Sequence, residues 1–173
     1  MAAENKSIYN YGWDGYVIKN FEGYIFIKDI LGRPPESIIT YTGLYTMNSP
    51  ACKFWENAGV TRHTVPFELE MPYIKHIAGT GMEAVVYTHI PLMVSAQCTL
   101  NSLSGCQKET GKERQVLIKD TKGREFIIVN YCKYCYSTVY QKIPLMALSC
   151  IKDLTSAGIR SFRYDFTIED AEE

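Results

Sequence analysis

The chain has 173 residues, 46% hydrophobic and 21% charged, the balance of a globular protein with a buried core rather than a disordered tail, a collagen-like repeat or a coiled coil. A formal net charge of -1 gives no global pull toward nucleic acid or anionic lipid. The longest largely apolar stretch, Ala84 to Ala96, is interrupted by Thr88 and His89 and is shorter than the about 20 residues that cross a bilayer, so no membrane association is expected.

The opening residues, MAAENKSIYN, have neither a basic n-region nor an apolar h-region. No export signal is visible there, and a cytoplasmic location is expected. From Asp14 the chain alternates strands and helices. Residues 14–19 read as a strand, followed by an amphipathic stretch from Phe21 to Leu31 that stops at Gly32. Residues 37–42 form the second strand; its helix starts at Asn48 or Ser49, with Pro50 in the first turn, and ends at Gly59. A third strand covers 61–66 with a helix from about Glu70 to Ile77, and a fourth strand covers 83–88. Strand centres near 16, 39, 62 and 85 recur every 23 residues, which predicts a parallel sheet with helices packed outside it.

The period breaks at Pro91. From there to about Gln141 no helical pattern is present, and strands at 115–119 and 124–129 flank the turn Asp120-Thr-Lys-Gly123 as a hairpin. A helix is predicted from Pro144 to Ala157, then a fifth core strand over 159–167, then the opening of a helix from Ile168. The expected fold is therefore α/β: a partial (βα) barrel in its carboxyl-terminal half, with a cysteine-bearing β-hairpin insert. Its divisions are βα repeats over 12–90, the insert over 91–141 and a final helix–strand unit over 142–173. Five such strands are too few for a closed eight-stranded barrel, so the missing half is expected from a longer chain or from a separate subunit.

Six cysteines in a reducing compartment are expected as thiols, metal ligands or catalytic groups. Four of them, Cys98, Cys106, Cys132 and Cys135, fall within 38 residues as two pairs around the hairpin. Soft thiolates in that number suit an iron–sulfur cluster or, alternatively, tetrahedral zinc. The same residues also fit as small buried hydrophobes. A second constellation is positional, because βα barrels work at the carboxyl ends of their strands. Asn20, Glu22, Asn48, Glu68, His89, Arg163 and Asp165 fall there as a polar ring. Of these, Glu68, His89, Arg163 and Asp165 are the candidate catalytic residues, each with an ordinary alternative as a helix cap, packed imidazole or salt bridge. Between Cys106 and Lys133 seven Lys/Arg meet four Asp/Glu, with Tyr131, Tyr134, Tyr136 and Tyr140 close by. Basic and aromatic side chains together hold phosphates and stack bases, so RNA is a candidate partner; a solvated hairpin is the other reading.

Several segments occur in a family-like order: Asn20-Phe-Glu-Gly23, Thr46-Met-Asn-Ser49, Pro66-Phe-Glu-Leu-Glu70, Tyr87-Thr-His-Ile-Pro-Leu-Met93, Gln97-Cys-Thr-Leu100, Lys119-Asp-Thr-Lys-Gly123, Cys135 with Val139-Tyr140 and Pro144-Leu145, and Gly158-Ile-Arg-Ser-Phe-Arg-Tyr-Asp165. Together they resemble the collagenase-like peptidase family of unknown catalytic type, peptidase family U thirty-two, over about Gly12 to Ile168. The resemblance implies the carboxyl half of a barrel of βα units. It also implies two competing activities: peptide hydrolysis, and iron–sulfur-dependent hydroxylation of RNA bases or of a quinone precursor. Cys98, Cys106 and Cys135 match the family's cysteine positions, and Cys132 stands as the fourth ligand. Four grouped cysteines supply ligands more readily than a thiolate–base dyad, which favours hydroxylation of RNA or a small molecule. A non-catalytic subunit of a split barrel, or a truncated remnant, is the third reading.

Overall fold

The computed structural model describes residues 12–79, 81–106 and 113–169. Expectations for 107–112, which include Lys108 and Lys112, and for 170–173, most of the last helix, lie outside the described residues. Contacts divide the chain into two compact units: one runs to Val85 and takes in Ser149–Arg163, the other holds Val86–Leu148 and the segment from Tyr164.

In the first unit the strand–helix alternation is present as read. Strands β1 (Tyr16–Ile18), β2 (Ile38–Thr40), β3 (Arg62–Thr64) and β4 (Met82–Thr88) pair in parallel in that order. Helices α1 (Phe21–Ile25, continued as a π-helix over Phe26–Ile30), α2 (Ser49–Asn57) and α3 (Met71–Ile77) join them. Local chemistry sets the helix starts. The Asn20 side chain accepts from the Gly23 N–H at 2.8 Å, and Asn48 from the Ala51 N–H at 2.9 Å, so each satisfies a backbone donor that the first helical turn leaves open. Gly81, entering β4, has no room for a side chain: a Cβ there would meet the Thr61 carbonyl oxygen at 2.0 Å.

The last core strand, β10 (Ser161–Asp165), lies beside β4 and follows α5 (Ile151–Ala157), which packs against α3 in the helix layer. The sheet order is β1-β2-β3-β4-β10, a curled parallel sheet that forms a partial βα barrel. Residues alternate between its faces. Ile18, Ile38 and Trp55 of α2 share a buried apolar cluster with Ile27 and Val60, so Ile18, Ile38, Thr40 and His63 face the helices. Thr64, Glu83 and Arg163 lie on the opposite, inner face.

The second unit carries a four-stranded antiparallel sheet of order β5-β8-β7-β6, from β5 (Pro91–Ser95), β6 (Glu113–Lys119), β7 (Glu125–Tyr131) and β8 (Tyr136–Gln141). β6 and β7 form the expected hairpin. Its turn is held by Asp120 Oδ1, which accepts from the Lys122 and Arg124 N–H groups at 2.9 Å, and by Gly123 at φ +79.

Two local expectations are corrected. A short helix α4 (Thr99–Ser104) lies in the stretch read as free of helix. At six residues it is too short to show an apolar period. The helix expected from Pro144 begins only at Ile151. Leu145–Met146 instead form β9, antiparallel to Thr88 and Tyr87, and the Ala147 N–H reaches the Val86 carbonyl at 2.9 Å. An available edge of β4 outcompetes the local helical tendency of Leu, Met and Ala. Among the described residues no helix is long and apolar enough to cross a membrane.

Candidate functional site

On the inner face of the first unit, Thr64 ends β3 and stands in register with Glu83, the second residue of β4. The Thr64 hydroxyl donates to Glu83 Oε1 at 2.7 Å, and Arg163 Nη2 lies 2.5 Å from the same oxygen. The Glu83 carboxylate side chain is only 8% exposed. Arg163, expected at the strand ends beside Asp165, is thus directed to a buried carboxylate that the sequence reading did not single out. The available signal was a lone acid in an otherwise apolar strand. Glu68 is exposed in the turn after β3, and Asp165 is half-buried at the end of β10.

On the helix side, His63 is 2% exposed and its Nδ1 lies 3.1 Å from Thr40 Oγ1, while its buried Nε2 has no hydrogen-bond partner. Burial pushes this imidazole below its ordinary value, against an opposing pull from Glu56, so it stays neutral.

In the second unit, Asn130, fully buried near the end of β7, collects polar groups from three elements. Its Oδ1 accepts from Thr99 Oγ1 at 2.9 Å and Ser137 Oγ at 2.9 Å, and the Cys98 thiol lies 3.6 Å away. Its backbone oxygen receives Cys132 Sγ at 3.8 Å. Cys132 and Cys135 both sit in the four-residue turn between β7 and β8, where Cys135 Sγ reaches the Cys132 carbonyl at 3.8 Å. That turn holds Cys135 in the left-handed region at φ +56. Cys106 is exposed after Gly105, itself at φ +78. So the cysteines lie on α4 and its ends and on the β7–β8 turn, rather than on the β6–β7 hairpin. Cys98 and Cys132 meet at one residue, and Cys135 shares the turn with Cys132.

The donor chemistry suits a soft metal or cluster. Among the described residues, however, no group of three or more His, Cys, Asp or Glu side chains stands close enough to hold a metal ion. Tyrosines frame the turn: Tyr131 stacks on Tyr136 at 4.6 Å, its hydroxyl meets that of Tyr140 at 3.1 Å, and Lys133 lies 5.5 Å from the Tyr134 ring centre. Burial first, and the Tyr140 hydroxyl second, push the Tyr131 phenol up, so it remains protonated. On the hairpin, Lys119 at 2.8 Å and Lys142 both bind Glu125 and hold its carboxyl at about 2, and Arg124 is tied to Asp120 at 2.6 Å.

His89 follows β4 and is buried. Its Nδ1 lies 2.8 Å from the Gln141 carbonyl, which can only accept, so Nδ1 carries a proton and Nε2 is the atom left for chemistry. Nε2 faces Glu169 Oε1 at 3.7 Å. Burial raises the Glu169 carboxyl, but its own N–H, those of Thr167 and Ile168 and the Tyr87 hydroxyl outweigh burial, and the net shift is downward. Glu169 was likewise missed in the sequence, because the end of β10 must fold back before it meets His89.

These two groups predict a two-step loss of stability on acidification. The unfolded chain protonates His63 near 6.5, which the buried imidazole resists, so stability falls as pH drops below that value. Glu169 stabilises the native state above its ordinary value of 4.5, and that contribution is lost as pH falls through the depressed native value. Denaturant unfolding from pH 8 to pH 3 should show both steps. An upper step of unchanged size in His63→Gln would contradict the assignment.

The model of peptidase family U32 matches residues 6–172 of the chain. Comparison with curated proteins and with solved structures returned no match.

Proposed function

Because the chain belongs to peptidase family U32, we propose that it serves iron–sulfur-dependent hydroxylation of RNA or a small molecule, with Cys98, Cys106, Cys132 and Cys135 as the cluster ligands. The observation that carries this reading is the convergence of Cys98 and Cys132 on Asn130, with Cys135 on the same turn as Cys132. The sulfur partners there are an amide oxygen and backbone carbonyls rather than an imidazole, so these contacts supply no base for a thiolate–base dyad. A cluster held by these four cysteines would supply electron transfer. The chain's own groups supply the rest: Asn130 orients the thiols, and His89, with its Nδ1 proton fixed on Gln141, can hold a proton at Nε2 against Glu169. The same His89–Glu169 arrangement is an acid–base pair of the sort peptide hydrolysis uses, and it supports that activity as the second reading.

Anaerobic purification should give coloured protein with iron and acid-labile sulfide, and replacing all four cysteines by serine should remove both. Mass spectrometry of nucleosides from RNA incubated with the two forms should show a hydroxylated base only with the unsubstituted protein. Stoichiometric zinc in colourless protein would replace the cluster but keep the site. Peptide hydrolysis that survives the four substitutions, in protein free of contaminating protease, would establish the second reading.

A further inference from the structure

Cys132 and Cys135 stand three positions apart in one turn, and the strands beneath it fix how far they can separate. Tyr131 and Tyr136 are the register pair that closes the β7–β8 ladder, with their rings stacked at 4.6 Å. Only residues 132–135 connect them, and the Tyr134 N–H reaches the Tyr131 carbonyl at 3.0 Å to tighten the loop. Four consecutive residues of a turn keep their end Cα atoms within about 7 Å. Disulfides bridge Cα separations of about 4.4–6.8 Å. The Cys135 sulfur already lies over its neighbour's backbone, 3.8 Å from the Cys132 carbonyl oxygen.

The two thiols differ in access. Cys135 is exposed, whereas Cys132 is half-buried with its Sγ 3.8 Å from the Asn130 carbonyl oxygen. No other two of the six cysteines are closer than eight positions in sequence. Cys52 is buried, and the half-buried Cys98 thiol is directed to the Asn130 side chain at 3.6 Å.

We infer that Cys132 and Cys135 form a reversible dithiol–disulfide pair that exchanges with a low-molecular-weight disulfide of the glutathione class. The exposed Cys135, as thiolate, attacks one sulfur of that disulfide; the reagent's S–S bond breaks, a bond to Cys135 forms and one thiol leaves. Cys132 then gives up its proton and attacks the Cys135 sulfur, which closes the internal bond and releases the second thiol. The protein loses two electrons and two protons, and the reagent takes them up as two thiols. The hairpin has already brought the ends of the loop together, so the second step carries little closure entropy. The same short span constrains the unfolded chain less than a long-range bridge does, and an exposed sulfur stays open to reduction. Bridges of that kind are the labile, regulatory ones. Closure withdraws two of the four thiols that hold the cluster in the proposed function, so bridge and cluster exclude one another; that consequence alone rests on the proposed function.

The test uses the full chain, stripped of metal with a chelator, so its result is independent of what the thiols hold. The protein is equilibrated in glutathione buffers of rising disulfide content, quenched with acid, alkylated and digested with trypsin without reduction. Trypsin cuts after Lys133, between the two cysteines, so the bridge should hold peptides 125–133 and 134–142 together. That linked pair should become the dominant form in oxidised buffer and separate on reduction. Cys132→Ser removes the second step, and Cys135 should then retain about ten-fold more bound glutathione than in the unsubstituted chain. Cys135→Ser should leave Cys132 largely unmodified, because the accessible attacking thiol is gone. Absence of the linked pair in the most oxidised buffer, glutathione uptake by Cys132 as fast as by Cys135, or a bridge from either residue to Cys98 would each overturn the inference.

Discussion

Arg163→Ala should lower the free energy of unfolding by about 3–5 kcal/mol, the range for removing one partner of a buried ion pair. The loss comes from what remains. Glu83 is 8% exposed on the side chain and keeps only the Thr64 hydroxyl, too weak a partner for a desolvated carboxylate. Glu83→Gln should cost less, about 1–2 kcal/mol, because the amide still accepts from Thr64 and Arg163, at 22% exposure, can reach water. Replacing both by leucine should recover much of the loss, since apolar groups of similar volume need no compensation. Urea denaturation of the three variants provides the comparison. An Arg163→Ala change below about 1 kcal/mol would show that solvent reaches Glu83 more freely than its burial indicates.

Asn130→Leu should destabilise the second unit by about 1–3 kcal/mol, as it leaves the half-buried Thr99 hydroxyl without its acceptor and the buried Ser137 hydroxyl with only the Gln97 carbonyl at 3.2 Å. It should also raise the reactivity of Cys98 toward a thiol reagent, since the nearest polar partner of that sulfur disappears. Asn130→Asp keeps the acceptors and loses the Nδ2 contact to the Arg114 carbonyl at 3.5 Å, so it separates support of the thiols from support of β6. Unchanged thiol reactivity in Asn130→Leu would remove Asn130 from the role assigned to it.

The parts of the fold readable in the sequence are those fixed by neighbours along the chain. Asn48 with Pro50, Asn20, and Asp120 with Gly123 act within a few residues, so their caps and turn could be placed before any tertiary contact was known. The βα repeat was readable for the same reason. The partner of Arg163 was not, because Glu83 becomes its neighbour only through the order of β4 and β10 in the sheet. Asn130 looked like a polar end to an apolar strand; its meaning rests on α4 and β8 arriving from either side. Leu145 and Met146 had the composition of a helix, and a free edge of β4 decided otherwise.

The backbone at Cys135 sets two demands against each other. A left-handed conformation at φ +56 disfavours any residue with a Cβ by about 1–2 kcal/mol relative to glycine. A chain selected only for durability would drift toward glycine or asparagine at that point. Cys135→Gly is therefore a substitution in which folding and chemistry part company: the turn relaxes while a thiol is lost. The thiol at that point is thus held at the expense of stability that glycine would return to the turn.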